Sequence, residues 1–292
     1  MTVESLLRNG VAGEGDARTV TLDPRFGGLP DTAHGGSVLG LFAALAGGPP
    51  GAVRGVYHRR VPLGVPLPLR IERDDRGLAL TLGGGDGGSL VDGRVGPAPP
   101  PAADATPTGT TPAGATPAAS APGSSGERHP LPVSYSCFAC GTRNDLGLHA
   151  RLQFDGEHVM ATWSPPPRFA AADGTLAPVA LTTLLDETAF WLGALATGES
   201  GMTTELAVSL HAPIPLGPPI TVRAVRADAR PQADDPRRWL TRMTALLPDG
   251  RVAAEGEITF VAIRGAARRL AAGMLAMNDP EVLRRVFPAY VR

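Results

Sequence analysis

Apolar positions along this chain gather into two helix-like runs, each flanked by strand-like alternation. The first run is SVLGLFAALA at 37–46 and the second is PVALTTLLDETAFWLGALA at 178–196. Pro178 suits a first helical position, where a backbone N–H has no partner in any case, and the second helix is expected to end near Gly198. Ahead of the runs stand RTVTL (18–22) and HVMATW (158–163), which alternate with the period of a half-buried strand. Behind them come GVYHRRVPLGVPLPLRIER (55–73) and TELAVSLHAPIPLGPPITVRAVR (204–226), again strand-like and broken by proline–glycine turns.

The two series match point by point. Arg25-Phe26 and Arg168-Phe169 each follow a proline, and eight residues separate Phe26 from His34 and Phe169 from Ala177. Val61-Pro62-Leu63-Gly64 parallels Ile214-Pro215-Leu216-Gly217, and Asp92-Gly93-Arg94-Val95 parallels Glu255-Gly256-Glu257-Ile258. One strand, one long helix, then three or more strands wrapping it describe an α+β unit whose antiparallel sheet buries a single helix. The chain therefore reads as two unequal copies of one unit. The first lobe is placed at 12–95 and the second at 131–265. The basic amphipathic stretch at 266–292 is expected to form one or two helices packed outside.

Between the lobes, 96–130 is rich in Pro, Ala, Thr, Gly and Ser, and Asp104 is the only charge from Gly96 to Gly126. Such a composition cannot bury enough apolar surface to offset ordering, so it is expected to be a disordered or polyproline-like linker. A coil of this length spans about 30 Å, enough to cross one small domain.

Composition sets further limits. Of 292 residues, 43% are hydrophobic and 19% charged, and the formal net charge of −1 gives no pull toward nucleic acid or an anionic membrane. All 27 basic residues are arginine, which excludes a Schiff-base lysine and a P-loop lysine. The N-terminal MTVESLLRNGVAGEGDAR lacks the pattern of a signal peptide, no purely apolar run reaches the ~20 residues that span a bilayer, and a cytoplasmic location is expected. Cys137 and Cys140 do not form a secreted disulfide framework. Their spacing is that of a zinc knuckle, but two thiolates make half of a structural site, with His129 or His149 as the residues to complete it. No GxGxxG, P-loop, HExxH or Ser-His-Asp pattern stands in a matching context.

The residues resemble a hotdog-fold protein of the phenylacetyl-CoA-thioesterase type. CFACGTRNDLGLHARLQFDG resembles the family's lead-in, LLDETAFW its helix signature, TELAVSLHAPIPLG the strand that follows, and His34-Gly35-Gly36 its HGG signature. The likeness covers roughly 20–95 and 131–262. It implies a double hotdog in which two helices lie side by side as an intramolecular pseudo-dimer, with an acyl-CoA or acyl-carrier thioester hydrolysed between them and no cofactor. A further homodimer stays open. In the lead-in the cysteine pair is commonly a turn, so no metal is implied.

The resemblance also implies a division of labour. The family's acid stands nine residues after the histidine. In the first lobe that position is Ala43, while in the second it is Asp186, and the second lobe's His-Gly-Gly has become Ala177-Pro178-Val179. Each lobe keeps what the other lost, which predicts one composite site in which His34, Gly35 and Gly36 face Asp186. Amides at a helix start favour a developing oxyanion, and glycine allows close approach, so Gly35 and Gly36 suit that role; an ordinary helix start is the competing reading. Asp186 would act as general base or nucleophile, against a merely solvated carboxylate. His34 would bond substrate or cap the helix. Adjacent helical residues diverge by about 100°, so only one of Asp186 and Glu187 is expected to face the partner helix. Substrate-binding candidates are Thr203, Thr204 and Glu187, with Arg59 and Arg60 (and Arg54 beside them) for CoA phosphates. A non-catalytic acyl-CoA-binding protein is the alternative. A hotdog dehydratase is disfavoured, since no Asp-x-Asn-x-x-His-like run follows a strand.

Overall fold

A computed structural model describes residues 1–47, 51–97 and 126–291, so most of the expected linker lies outside the described residues. The chain opens with α1 (Val3–Asn9), β1 (Val11–Ala12) and β2 (Thr19–Thr21). The first central helix α2 (Gly35–Ala46) follows, then β3 (Ala52–Tyr57), β4 (Pro66–Asp74), β5 (Gly77–Gly83) and β6 (Ser89–Gly96). The second lobe begins with the short β7 (His129–Pro130) and β8 (Gln153–Phe154), then β9 (His158–Trp163) and the second central helix α3 (Pro178–Thr197). It is completed by β10 (Gly201–Leu210), β11 (Ile220–Val225), β12 (Arg230–Pro231), β13 (Arg238–Leu246) and β14 (Val252–Ala262). Two outer helices, α4 (Ala266–Met274) and α5 (Pro280–Val286), close the chain.

One antiparallel sheet runs β1-β2-β4-β5-β6-β3-β10-β14-β13-β11-β9-β8-β7, with β12 paired beside β13. The lobes join edge to edge where β3 meets β10. There Val53 pairs with Val208 and Gly55 with Leu206. Within the lobes Gly55 pairs with Gly93 and Val208 with Gly256. Gly55 and Val208 are thus equivalent, as are Val53 and Leu206, and exchanging the lobes maps the seam onto itself.

Sequence dictates the packing at specific points. Both Pro-Arg-Phe turns are single 3₁₀ turns that bury Phe26 and Phe169. α3 starts at Pro178 and stops at Gly198, whose φ of 68° is the left-handed conformation that glycine adopts without penalty. Gly93 on β6 leaves room for Phe42 of α2, and the matching Gly256 on β14 lies against Leu185 of α3, so each sheet closes tightly on its helix at the same place. α1, upstream of the residue-12 boundary read from sequence, buries Val3 and Leu7 in the same core.

The expected lack of a membrane-length segment needs one refinement. By length and composition α3 qualifies, with a mean hydropathy of 1.3, yet 83% of that window is buried within the fold. A helix wrapped by a sheet must be apolar nearly all round. Just after α5, Phe287 packs on Trp191 of α3 with ring centroids 6.3 Å apart.

Candidate functional site

The two central helices meet backbone to backbone. Gly36 and Gly40, four residues apart on α2, face α3. A Cβ on Gly40 would lie 2.5 Å from the Val179 Cβ, and one on Gly36 would lie 2.5 Å from the Thr183 Cα. No side chain fits between them. Thr182 completes the contact by donating its hydroxyl to the Gly36 carbonyl at 2.6 Å.

This close approach carries the start of α2 to Asp186. The Gly36 N–H donates to Asp186 Oδ2 at 2.8 Å, and Thr203 donates its hydroxyl to Oδ1 at 2.7 Å. A Cβ on Gly35 would lie 2.8 Å from the same Oδ2. His34 Nδ1 stands 3.0 Å from Oδ2 and 3.2 Å from the Gly36 nitrogen. The Gly36 N–H has two acceptors in reach, and the nearer, charged one takes it. Asp186 therefore caps α2 from the other lobe, and His34 Nδ1 carries a proton toward Asp186. Tyr57 on β3 fixes the same turn by donating to the Gly35 carbonyl at 2.6 Å.

Glu187 also reaches His34, which corrects the expectation that only one of the adjacent acids faces the partner helix. Its Oε2 lies 3.2 Å from His34 Nε2, and its Oε1 accepts from Trp191 Nε1 at 2.9 Å. The two side chains do diverge around α3, but the imidazole presents nitrogens on two edges, and glutamate is longer by one methylene. One ring spans both carboxylates.

The electrostatics follow from this enclosure. Asp186, Glu187 and His34 are each no more than 7% exposed. Burial acts to lower the His34 pKa, but hydrogen bonds to Asp186 and Glu187 together outweigh it and hold the ring well above its ordinary value. Burial likewise acts to raise Asp186, and the His34, Thr203 and Gly36 donors overturn it and leave the carboxyl below its usual range. Tyr57 is pushed well up, by burial first and the Asp186 charge second, so it stays a phenol and a donor. His34 is thus a charged donor between two carboxylates.

Other candidates fall outside this cluster. Thr204 donates to the Thr259 carbonyl and lines, with Val56, Tyr57, Glu205, Asp235, Arg238 and Val261, a cleft of about 220 Å³. Arg59 is committed to Asp86 through two hydrogen bonds of 2.6 and 2.9 Å, and Arg54 pairs with Glu205 across the seam at 2.9 Å. Arg59 and exposed Arg60 border a separate cleft of about 570 Å³. Cys137 and Cys140 are free, buried thiols that pack together. Tyr57, Thr182 and Trp191 were not legible as site residues, because a lone tyrosine in a strand and a threonine or tryptophan on an apolar helix read as core.

No protein-family model matches the chain, and no curated protein matches it in sequence. Solved structures do. The tesB protein of Mycobacterium avium subsp. paratuberculosis superposes with a TM-score of 0.58 at 13% identity, covering 90% of this chain and 100% of that one. An acyl-CoA thioesterase II from Mycobacterium marinum gives 0.54 at 15% identity, covering 90% and 98%. A hot dog-fold protein of unknown function from Alicyclobacillus acidocaldarius gives 0.56 at 12%, covering 87% and 95%. The fold is the double hotdog, as the family resemblance implies.

Proposed function

We propose that the protein hydrolyses an acyl-CoA or acyl-carrier thioester at one site between α2 and α3. The observation that carries this reading is the 2.8 Å contact between the Gly36 amide of one lobe and the Asp186 carboxylate of the other. It brings a helix start, with its positive dipole end, onto a single ionised acid. The superposition on solved thioesterases and the duplicated signatures support it.

In this reading Asp186 is the general base. It removes a proton from water as the water oxygen bonds to the thioester carbon; the C–S bond then breaks, and the thiolate takes up a proton to leave as the free thiol. The Gly35 amide stabilises the oxyanion, while the Gly36 amide, Thr203 and His34 hold Asp186 ionised and oriented. A well-placed oxyanion donor contributes ~10²–10³ in rate, and a general base ~10²–10⁴. The cleft lined by Tyr57, which bonds to the Gly35 carbonyl, and by Thr204, the chain neighbour of Thr203, is the proposed way in for the thioester. The proposed setting is the cytoplasm, since two cysteines three residues apart make no secreted disulfide framework.

A second reading has its own observation. Asp186 is 4% exposed and already faces the His34, Gly36 and Thr203 donors. A carboxylate so engaged also suits a clamp between lobes in a protein that binds acyl-CoA without turning it over. Steady-state assays over a panel of acyl-CoAs separate the two. Hydrolysis by the wild type that drops at least tenfold in Asp186→Asn supports the enzyme; unchanged turnover in that variant removes Asp186 from the chemistry. Tight binding without turnover in the wild type supports the clamp.

A further inference from the structure

The turn that carries the cysteine pair brings Cys137 close to His34 and Glu187. Cys137 to Gly141 form a tight turn in which the Gly141 N–H donates to the Cys137 carbonyl at 2.9 Å and the Ala139 N–H donates to Cys137 Sγ at 3.3 Å. A Cβ on Gly141 would strike the Cys137 carbonyl oxygen, so this turn requires glycine. Phe138 anchors it, packing on Phe26 and Phe169 with centroids 5.0 and 6.2 Å away, and its N–H donates to the Gly27 carbonyl at 2.6 Å. The turn thus docks on the first lobe with both thiols buried. Cys137 Sγ, a His34 ring nitrogen and a Glu187 carboxylate oxygen all lie within 4.8 Å of one another. Cys140, three residues on in the same turn, is buried and packs with Cys137.

We propose that Cys137, His34 and Glu187, with Cys140 turning in as the fourth ligand, form a closed, structural zinc site that ties the two lobes and the segment after the linker together. The donor set is that of a thiophilic, tetrahedral divalent cation, with two sulfurs, one imidazole and one carboxylate. Zinc bonds of roughly 2.0–2.3 Å place tetrahedral ligand atoms roughly 3.3–3.8 Å apart, so the three clustered donors, within 4.8 Å of one another, close in by at most about 1–1.5 Å as Cys140 rotates toward them. No donor position is left over for substrate, which makes the site structural.

The surroundings are those of a metal site. Asp186 accepts from His34 on the Nδ1 side, which fixes the tautomer that presents Nε2 to the cation, and Trp191 holds the free oxygen of Glu187. The amide donated to Cys137 Sγ favours a thiolate. Loading releases two thiol protons and the Nε2 proton, leaving two thiolates and one carboxylate around a dication. The spacing of the cysteines is visible in sequence, but His129 and His149 are not their partners. His129 packs on Phe154 and contacts Arg285, and His149 belongs to no ligand cluster among the described residues. The two missing ligands lie 103 residues before Cys137 and 47 after Cys140.

The metal, not turnover, is the readout, so the outcome stands apart from the hydrolytic reading. The full chain is purified without chelator, its metal content measured, then reduced, stripped and titrated with Co²⁺ while circular dichroism monitors the fold. The expected result is about one zinc per chain as isolated and one Co²⁺ per chain on titration. The cobalt form should show a thiolate-to-cobalt charge-transfer band and the intense visible bands of tetrahedral geometry, both lost on adding Zn²⁺. Cys137→Ser and Cys140→Ser should each weaken Co²⁺ binding at least tenfold, and Trp191→Phe roughly 10–100-fold. A folded, reduced wild type that carries no zinc and shows no thiolate–cobalt band overturns the proposal. So does a band that persists in the double serine variant, or an isolated protein holding a Cys137–Cys140 disulfide in place of metal.

Discussion

At Gly35 the side chain is missing because the Asp186 carboxylate occupies the place where one would go. Gly35→Ala should push the carboxylate off the Gly36 amide, since the added carbon would lie 2.8 Å from Oδ2. The expected outcome is a fall in kcat of about tenfold or more, given how steeply rate depends on placement, with little change in KM. Stopped-flow or steady-state kinetics check it, and an unchanged kcat would show that the Gly36–Asp186 contact is irrelevant to turnover. His34→Ala is a poorer probe. It strands two carboxylates in the interior, and breaking a buried pair in this way costs about 3–5 kcal/mol, so lost activity would not separate catalysis from folding. The HGG triplet and the acid were legible in sequence as motif positions. That one imidazole touches both acids was not, because helix periodicity describes Cβ directions and says nothing of how far a ring and a longer side chain reach.

At the scale of elements, the α2–α3 interface decides where the site forms. Gly36 and Gly40 let the helices touch along their backbones, and the cost of filling that seam is the test of it. Gly40→Ala should destabilise the fold by about 1–3 kcal/mol, because its Cβ would meet the Val179 backbone and side chain in a tightly packed core. Gly273→Ala on α4 is the contrasting case: a Cβ there meets nothing within 4 Å. It should stabilise the protein by about 0.5–1 kcal/mol through helix propensity alone. Denaturant midpoints of the two variants should move in opposite directions, and shifts of the same sign would refute the packing argument. The repeated helices and their flanking strands were readable from periodicity, and α3 keeps the limits given by Pro178 and Gly198. Which faces of the helices meet was hidden, because both runs are apolar nearly all round.

For the whole molecule, the two matched lobes have two corresponding helix-start positions, but only one is matched with a carboxylate. At the other, Ala43 stands where Asp186 would be, and Pro178 lacks the N–H that Gly35 offers. A non-hydrolysable acyl-CoA analogue should therefore titrate at one equivalent per chain by calorimetry, and two equivalents would contradict a single composite site. Ala43→Asp should not add activity. It would place an acid against a helix start without the glycine amides or the histidine, at an expected cost of about 1–3 kcal/mol for an unpartnered polar group.

Two lobes and their order of elements were read from hydrophobic periodicity and local punctuation, which depend only on residues near one another in the chain, and the split of the HGG and acid motifs between them was read from the family resemblance. The clustering of His34, Cys137, Cys140, Asp186 and Glu187 was not. Those residues span 153 positions, and the antiparallel crossing of α2 on α3 together with the docking of the Cys137 turn on Phe26 brings them together. Helix crossing depends on which surfaces interlock once the sheet has closed, and no local pattern encodes that.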